Sequence, residues 1–364
     1  MPQSLNLLAL PGDGIGPEIT NATLAVLERA NQSFGLKLSI AHDVVGFASL
    51  KKHGHTVPDA LLERARQADG IILGPCDTYG YPPPAEGGVN PSSTFRTTFE
   101  LYANMRPSRA VAGVRCHAPG MDLLIARENT EGFYADRNMF AGGGEFMPSP
   151  DIALAVRKIS AVSSARITRA ACEAAMKRRR KLTIVSKANV LKLSDGLFLR
   201  EARQVAASYP QLEVGEVLVD AMASLLVRSP EQFDVIVTTN MFGDILSNLA
   251  SEMAGGLGLA GSINAGDQRC MAQASHGSAP DIAGQGIANP ASLMFSVAML
   301  LTWLGERKQR DDLVRAAKVI DQAVLATLGD PATQTQDIGG STSTEAFAKA
   351  VCAAMGPMER VAIR

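Results

Sequence analysis

Asp244 and Asn248 stand four residues apart in the run NMFGDILSNLASEMAGGLG, where the apolar stretch Val235, Ile236, Val237 gives way to a helical pattern. That spacing is about one helical turn, so both oxygen-bearing side chains project from one face. A hard divalent cation such as Mg²⁺ keeps several waters and takes few carboxylates from the protein, leaving places for substrate oxygens. The pair therefore has the chemistry of a cation site. Ordinary polar residues also decorate helix starts, and the spacing alone does not separate the two readings. A second signal, Gly12-Asp13-Gly14-Ile15-Gly16 followed by Pro17-Glu18, lies between a strand pattern and a helix pattern. Its spacing departs from the dinucleotide fingerprint, and a lone glycine turn is weak.

The elements that position these residues follow from apolar periodicity. Residues 5–10 form a strand, and a helix with Pro17 in its first turn exits near Gly35. A strand over 36–43, a helix over 58–67 and a buried strand over 70–73 come next. This alternation is that of an α/β protein with a mostly parallel sheet. The Pro- and Gly-rich segment 74–93 lacks an apolar period and reads as a long loop at a strand end, where open α/β sheets bind ligands. From about residue 100 a second lobe begins, with strands near 122–127, 182–187 and 234–238 and a helix over 163–177. Glycine loops and helices over 291–304 and 311–328 read as a return to the first lobe. The expected organisation is a large cofactor-binding domain, 1–99 plus 254–364, and a smaller domain, 100–253, flanking a cleft. The smaller one would carry the metal and substrate residues and the dimer contact. A chain of 364 residues exceeds one core of typical size.

Composition narrows the function classes. A formal net charge of −1 leaves no global field to steer the chain onto nucleic acid or an anionic membrane, which favours a small-molecule substrate. The basic run 177–181 closes an alanine-rich helical pattern, where cations suit the helix dipole. Five cysteines without a CxxC pair suit free thiols in a reducing cytoplasm. Neither a signal peptide nor a bilayer-length apolar stretch is recognised, so the expected location is cytoplasmic.

Further segments follow in one order: Arg96 and Arg106 in FRTTFELYANMRP, Arg127 and Tyr134 in ARENTEGFY, Lys187 in SKANVL and Asp220 in VDAMASLLV, before Asp244 and Asn248. HGSAPDIAGQGIANP, from His276, and DIGGSTSTEAF complete the set. Over nearly the whole chain it resembles the metal-dependent, NAD(P)-linked β-decarboxylating dehydrogenases, the isocitrate/isopropylmalate dehydrogenase family. The resemblance implies a two-lobed fold with a mostly parallel sheet flanked by helices, distinct from a standard Rossmann domain. Guanidinium groups grip carboxylates in a planar, bidentate way, and Arg96, Arg106 and Arg127 match the family's substrate arginines. Asp220 and Asp244 match its carboxylate ligands to Mg²⁺ or Mn²⁺, with Asn248 at the next metal position. The cation lowers the pKa of the substrate's 2-hydroxyl. By the resemblance Lys187 is the base for that hydroxyl, directly or through water, and Tyr134 the acid to the enol. Lys187 and Asp220 would come from the neighbouring subunit, which implies a homodimer with shared sites. His276 would meet the adenine of the cofactor, Asn289 its edge, and the loop with Gly277, Ser278 and Ala279 the ribose. An acid at Asp281 accepts ribose hydroxyls and repels a 2′-phosphate, so NAD is the expected cofactor.

Two positions depart from the family. Asn248 stands where a second aspartate is usual, and Gln273 where a glutamate lies near the nicotinamide ribose. The amide loses one charge, so the cation should bind more weakly. A non-catalytic, ligand-sensing regulatory subunit is accordingly the alternative class, against which stand Tyr134, Lys187, Asp220, Asp244 and the three arginines. Substrate choice falls to Asn90-Pro91-Ser92-Ser93-Thr94-Phe95. Isopropylmalate enzymes place bulky apolar residues at Ser92 and Ser93, and burying an isopropyl group on hydroxyls forfeits about 1 to 3 kcal/mol. Isocitrate enzymes carry a serine and an asparagine where Asn90 and Ser92 stand in exchanged order. The expected substrate is a malate with a polar or no C3 substituent, of the isocitrate, homoisocitrate, tartrate or D-malate class, with isopropylmalate as the alternative.

Overall fold

The structure, a computed structural model, describes residues 4–134, 139 and 143–356. The chain divides into two compact units, Met1–Glu100 with Val111–Arg115 and Gly255–Arg364, and Leu101–Ala110 with Cys116–Ala254. In the first, strand β1 (Leu5–Leu10) is apolar and buried at every position but one, as a strand covered on both faces must be. Helix α1 (Gly16–Phe34) takes Pro17 in its first turn and ends on Gly35, whose φ of 62° is the left-handed cap that only glycine adopts freely. Then come β2 (Leu38–His42), α2 (Phe47–His53), α3 (Asp59–Gln67) and β3 (Gly70–Leu73). The expected loop over 74–93 ends early. Residues from Pro91 belong to helix α4 (Pro91–Thr98), because Asn90 caps it by accepting the Ser93 N–H and Pro91 supplies a preset φ.

The second unit opens with β4 (Ala103–Arg109), antiparallel to β5 (Asp122–Glu128). An exposed hairpin, β6 (Glu145–Ser149) and β7 (Ile152–Ala155), precedes α5 (Ala161–Met176), β8 (Lys181–Ser186) and α6 (Ser194–Ala206). Strand β9 (Glu213–Leu218), helix α7 (Val219–Arg228), β10 (Val235–Thr238) and α8 (Asn240–Met253) complete it. Its strands run in the order β4-β5-β10-β8-β9, parallel apart from β4. Two cores explain the apolar runs. Ile167, Ala171 and Phe198 of α5 and α6 cover Ile184 and Val237, while Met222, Leu246 and Ala250 of α7 and α8 cover Ile125 and Ile236. Arg178 of the basic run donates to Asp234 (2.7 Å) and Asp122 (2.8 Å), so that cation ties a helix end to β5 and to the residue before β10.

The chain then returns to the first unit with β11 (Ile263–Ala265), β12 (Cys270–Gln273), α9 (Ala291–Lys308), α10 (Asp311–Gly329) and α11 (Thr344–Ala354). β12 lies parallel to β3 and antiparallel to β11, giving the order β2-β1-β3-β12-β11 in that unit. Helix α9 is buried on almost all sides, which its apolar sequence permits. Among the described residues no helix is long and apolar enough to cross a membrane.

Candidate active site and cofactor cavity

In the second unit the polar chemistry converges on Asp244. Strand β4 presents Arg106 and β5 presents Arg127, and helix α8 presents Asp244 one turn inside its start. The helix reaches the strand because Gly243 has no side chain: a Cβ there would lie 2.6 Å from the Cβ of Arg127. Arg106 donates to Asp244 (3.0 Å), to the Ser247 hydroxyl (2.9 Å) and to Asn248 (3.4 Å). Arg127, 2 % exposed, donates to the same Asp244 oxygen and to Asn240 (2.7 and 3.0 Å). Tyr134 donates its hydroxyl to the other Asp244 oxygen at 2.9 Å and lies beneath the Arg127 guanidinium.

Burial sets the electrostatics of this cluster. Loss of water, with the neighbouring Arg127 charge adding to it, pulls the Arg106 guanidinium down to about 10. The Tyr134 phenol is pushed up by burial and by Asp244, so it holds its proton. Arg106 also keeps a buried Nε–H without an acceptor among the described residues. Two guanidinium groups, one with a spare buried donor, make a seat for a carboxylate.

Lys187 and Asp220 belong to the same unit but form a separate pair, Nζ donating to the carboxylate at 2.6 Å. Lys187 follows β8 directly and Asp220 opens α7; the Asp220 side chain is 64 % exposed. The lysine contact holds that carboxyl below the usual range. Among the described residues a single chain brings no three His, Cys, Asp or Glu side chains together for a metal. Of the expected set, Asp244 and Asn248 meet at Arg106, while Asp220 is held by Lys187.

In the first unit Gln273, at the end of β12, gathers a different group. Its side-chain oxygen accepts from Ser92 (2.9 Å), Asn264 (3.3 Å) and Arg96 (3.4 Å). Gln273 thus stands with the substrate candidates Ser92 and Arg96, and it does not line the cavity of His276 and its neighbours. The Asn90 oxygen is engaged as the helix cap.

That cavity, about 640 Å³, is lined by Ile15, His276, Gly277, Ala279, Asn289 and Asp337 among others. Ile15 holds the loop by donating its N–H to Ser278 O at 2.8 Å, and a Cβ on Gly14 would strike that carbonyl at 2.0 Å. Ala279 takes the left-handed φ of 38°. His276 Nδ1 bonds the Gly277 carbonyl (2.9 Å), which fixes the proton on Nδ1 and leaves Nε2 an acceptor. Nε2 is buried and unpartnered among the described residues, and burial lowers the imidazole pKa, so the ring is neutral. Asn289 spends its oxygen on Ala291 N–H and donates to Asp337 (3.0 Å). Asp281 is exposed on the turn Pro280–Ile282, its carbonyl accepting from Gln285. Sequence reasoning overlooked Asp337 as a cavity carboxylate; its only signal was its place at the head of DIGGSTSTEAF.

The chain is similar to known proteins in sequence and fold. The model of the family described as isocitrate/isopropylmalate dehydrogenase matches residues 6–351. The chain belongs to that family. It is 42 % identical to the isocitrate/homoisocitrate dehydrogenase of Thermus thermophilus, covering 95 % of this chain and 97 % of the relative. It is 37 % identical to the 3-isopropylmalate dehydrogenase of Saccharolobus solfataricus, covering 93 % and 96 %. The crystal structure of isocitrate dehydrogenase from Methylococcus capsulatus superposes with a TM-score of 0.85 at 35 % identity, covering 96 % of this chain and 99 % of that one. As a member of the isocitrate/isopropylmalate dehydrogenase family, the protein is an oxidative decarboxylating dehydrogenase. Such enzymes need a nicotinamide cofactor and a divalent metal. The unpartnered His276 Nε2 in a cavity of dinucleotide scale fits the first, and the hard oxygens of Asp244 and Asn248 fit the second.

Proposed function

We propose that the protein is an NAD-dependent, Mg²⁺- or Mn²⁺-requiring homodimer that oxidises and decarboxylates a malate carrying a polar or no C3 substituent. The observation that carries the reading is the Asp244 carboxylate gripped by Arg106, Arg127 and Tyr134, one turn from Asn248. The cation would supply Lewis acidity at the substrate's 2-oxygen, and the nicotinamide would accept hydride. Asp244, Asn248 and the partner subunit's Asp220 would hold the metal. Arg106 and Arg127 would bind the carboxylate beside the 2-hydroxyl, the Arg106 Nε–H taking an acceptor it otherwise lacks. Tyr134, kept protonated by its surroundings, would deliver a proton to C3 of the enol. Lys187 would take the proton of the 2-hydroxyl. Its pairing with an exposed Asp220 supports service in a neighbouring subunit's site. Exposed apolar side chains on the same unit, such as Val190, Leu193 and Ile245, support a covered face there.

Polarity around Ser92, Gln273 and Asn264 favours a polar C3 group over an isopropyl group, to which it offers no apolar wall. Asp281, beside the cavity residues Ala279 and Ile282, favours NAD over a 2′-phosphorylated cofactor. Asn289 would orient Asp337 and leave one amide N–H for the adenine edge. Initial rates with isocitrate, homoisocitrate, tartrate, D-malate and isopropylmalate, each with NAD or NADP and Mg²⁺ or Mn²⁺, test the reading. At least about tenfold higher kcat/KM with NAD, and a polar malate leading, is expected. Isopropylmalate leading would remove the substrate assignment, and NADP equality would remove the role of Asp281. No turnover in any combination would favour the regulatory-subunit class.

A further inference from the structure

Arg157 lies between β7 and α5, 8 % exposed, and pairs with Asp195, a wholly buried carboxylate in the first turn of α6. The same guanidinium donates to Ser194 (3.1 Å) and to the Thr239 hydroxyl (3.1 Å), and Thr239 is the residue immediately before α8. The other Asp195 oxygen accepts the backbone N–H of Lys187 at 2.5 Å. Above the guanidinium sit the rings of Phe133 (5.5 Å to the centroid) and Phe242 (5.2 Å). One buried cation thus reaches the backbone of Lys187 through Asp195, the residue before Tyr134 through a ring, and the start of the helix that bears Asp244.

A buried ion pair costs much of its attraction in desolvation, and apolar residues of similar volume commonly stabilise a core as well. What apolar residues cannot supply is an acceptor for the Lys187 N–H and a fork that joins three segments in a fixed geometry. We infer that Arg157 and Asp195 are positioning residues, holding Lys187, Tyr134 and Asp244 in one mutual arrangement. The inference rests on the proposed roles of Lys187 and Tyr134. If Lys187 serves the neighbouring site, the pair also ties together one protomer's contributions to two sites.

The test uses purified Arg157→Met, Arg157→Lys, Asp195→Asn and Lys187→Met, each checked for fold by circular dichroism and thermal unfolding. Rates are read with isocitrate and D-malate, protiated and deuterated at C2. Arg157→Met is expected to lower kcat about 100-fold, the cost of misplacing a catalytic group by about an ångström. KM for substrate and NAD should stay within about threefold, and the deuterium effect on kcat should rise because hydride transfer becomes slow. Arg157→Lys should recover at least about tenfold, since it restores the charge without the fork. Asp195→Asn, which keeps an acceptor for the Lys187 N–H, should fall between them. An unchanged kcat per folded protein, or a loss of kcat without a change in isotope effect, overturns the positioning role while an inactive Lys187→Met leaves the base assignment intact. A fully active Lys187→Met instead overturns the base assignment and the inference with it.

Discussion

His276 is poised by two atoms with different fates. Its Nδ1 proton is committed to a carbonyl, so only a donor can satisfy the buried Nε2, and the exocyclic amine of adenine is such a donor. The dinucleotide with hypoxanthine in place of adenine should therefore bind about tenfold more weakly than NAD, and His276→Phe should erase the difference. Because burial lowers its pKa below 6.5, the unfolded chain takes up this proton first as pH falls. The histidine's contribution to stability is accordingly full above 6.5 and declines as pH drops toward the lower folded value. Calorimetric Kd for NAD should be flat down to about 6.5 and rise only below it. At Asn248 the issue is charge. The amide shares Arg106 with Asp244, and a carboxylate there would add a second anion to a site holding two buried guanidinium groups. Asn248→Asp should reduce the Mn²⁺ concentration for half-activity several-fold, read by metal titration of initial rates. No shift would place Asn248 outside the metal's coordination.

At the scale of elements, the contact of α8 with β5 decides how Arg127 is held. Gly243→Ala would drive a methyl into the Arg127 stem, and the helix must rise or the arginine must turn. The expected cost is about 1 to 3 kcal/mol in urea unfolding, with a larger loss in kcat/KM than stability alone explains. The elements differ in how far the chain announced them. β1, β3 and β10 are short apolar runs almost wholly buried, α9 is a long apolar run buried nearly all round and α10 repeats apolar residues at helical spacing, so the apolar pattern locates them. β6, β7 and β9 are largely exposed and carry no burial period to read. Asn90-Pro91 is a legible helix start, yet the glycines and prolines around it give the stretch the composition of a loop. The site shows the same division. Arg106, Arg127, Tyr134 and Asp244 could be singled out by type, but that they meet depends on pairings across as many as 138 residues. No local pattern reveals that the Gln273 oxygen collects Ser92, Asn264 and Arg96.

The molecule as a whole offers a test of shared sites. Tyr134→Phe and Lys187→Met remove groups proposed to act in the same site from different subunits. Mixed after unfolding and refolded together, two nearly inactive proteins should regain roughly a quarter of wild-type activity, since half the dimers are hybrid and each has one intact site. No recovery, with dimers confirmed by light scattering, would place both residues in one protomer's site. Finally, the pairing of β12 with β3 brings residues 270–273 beside 70–73. A ribosome makes the chain from the N-terminus, so β1, β2 and β3 emerge long before the strand that completes their sheet. The intervening unit, whose own strands are supplied by Leu101–Ala110 and Cys116–Ala254, is finished first. During synthesis β3 therefore waits with a bare, apolar edge, which is the surface a chaperone would have to guard.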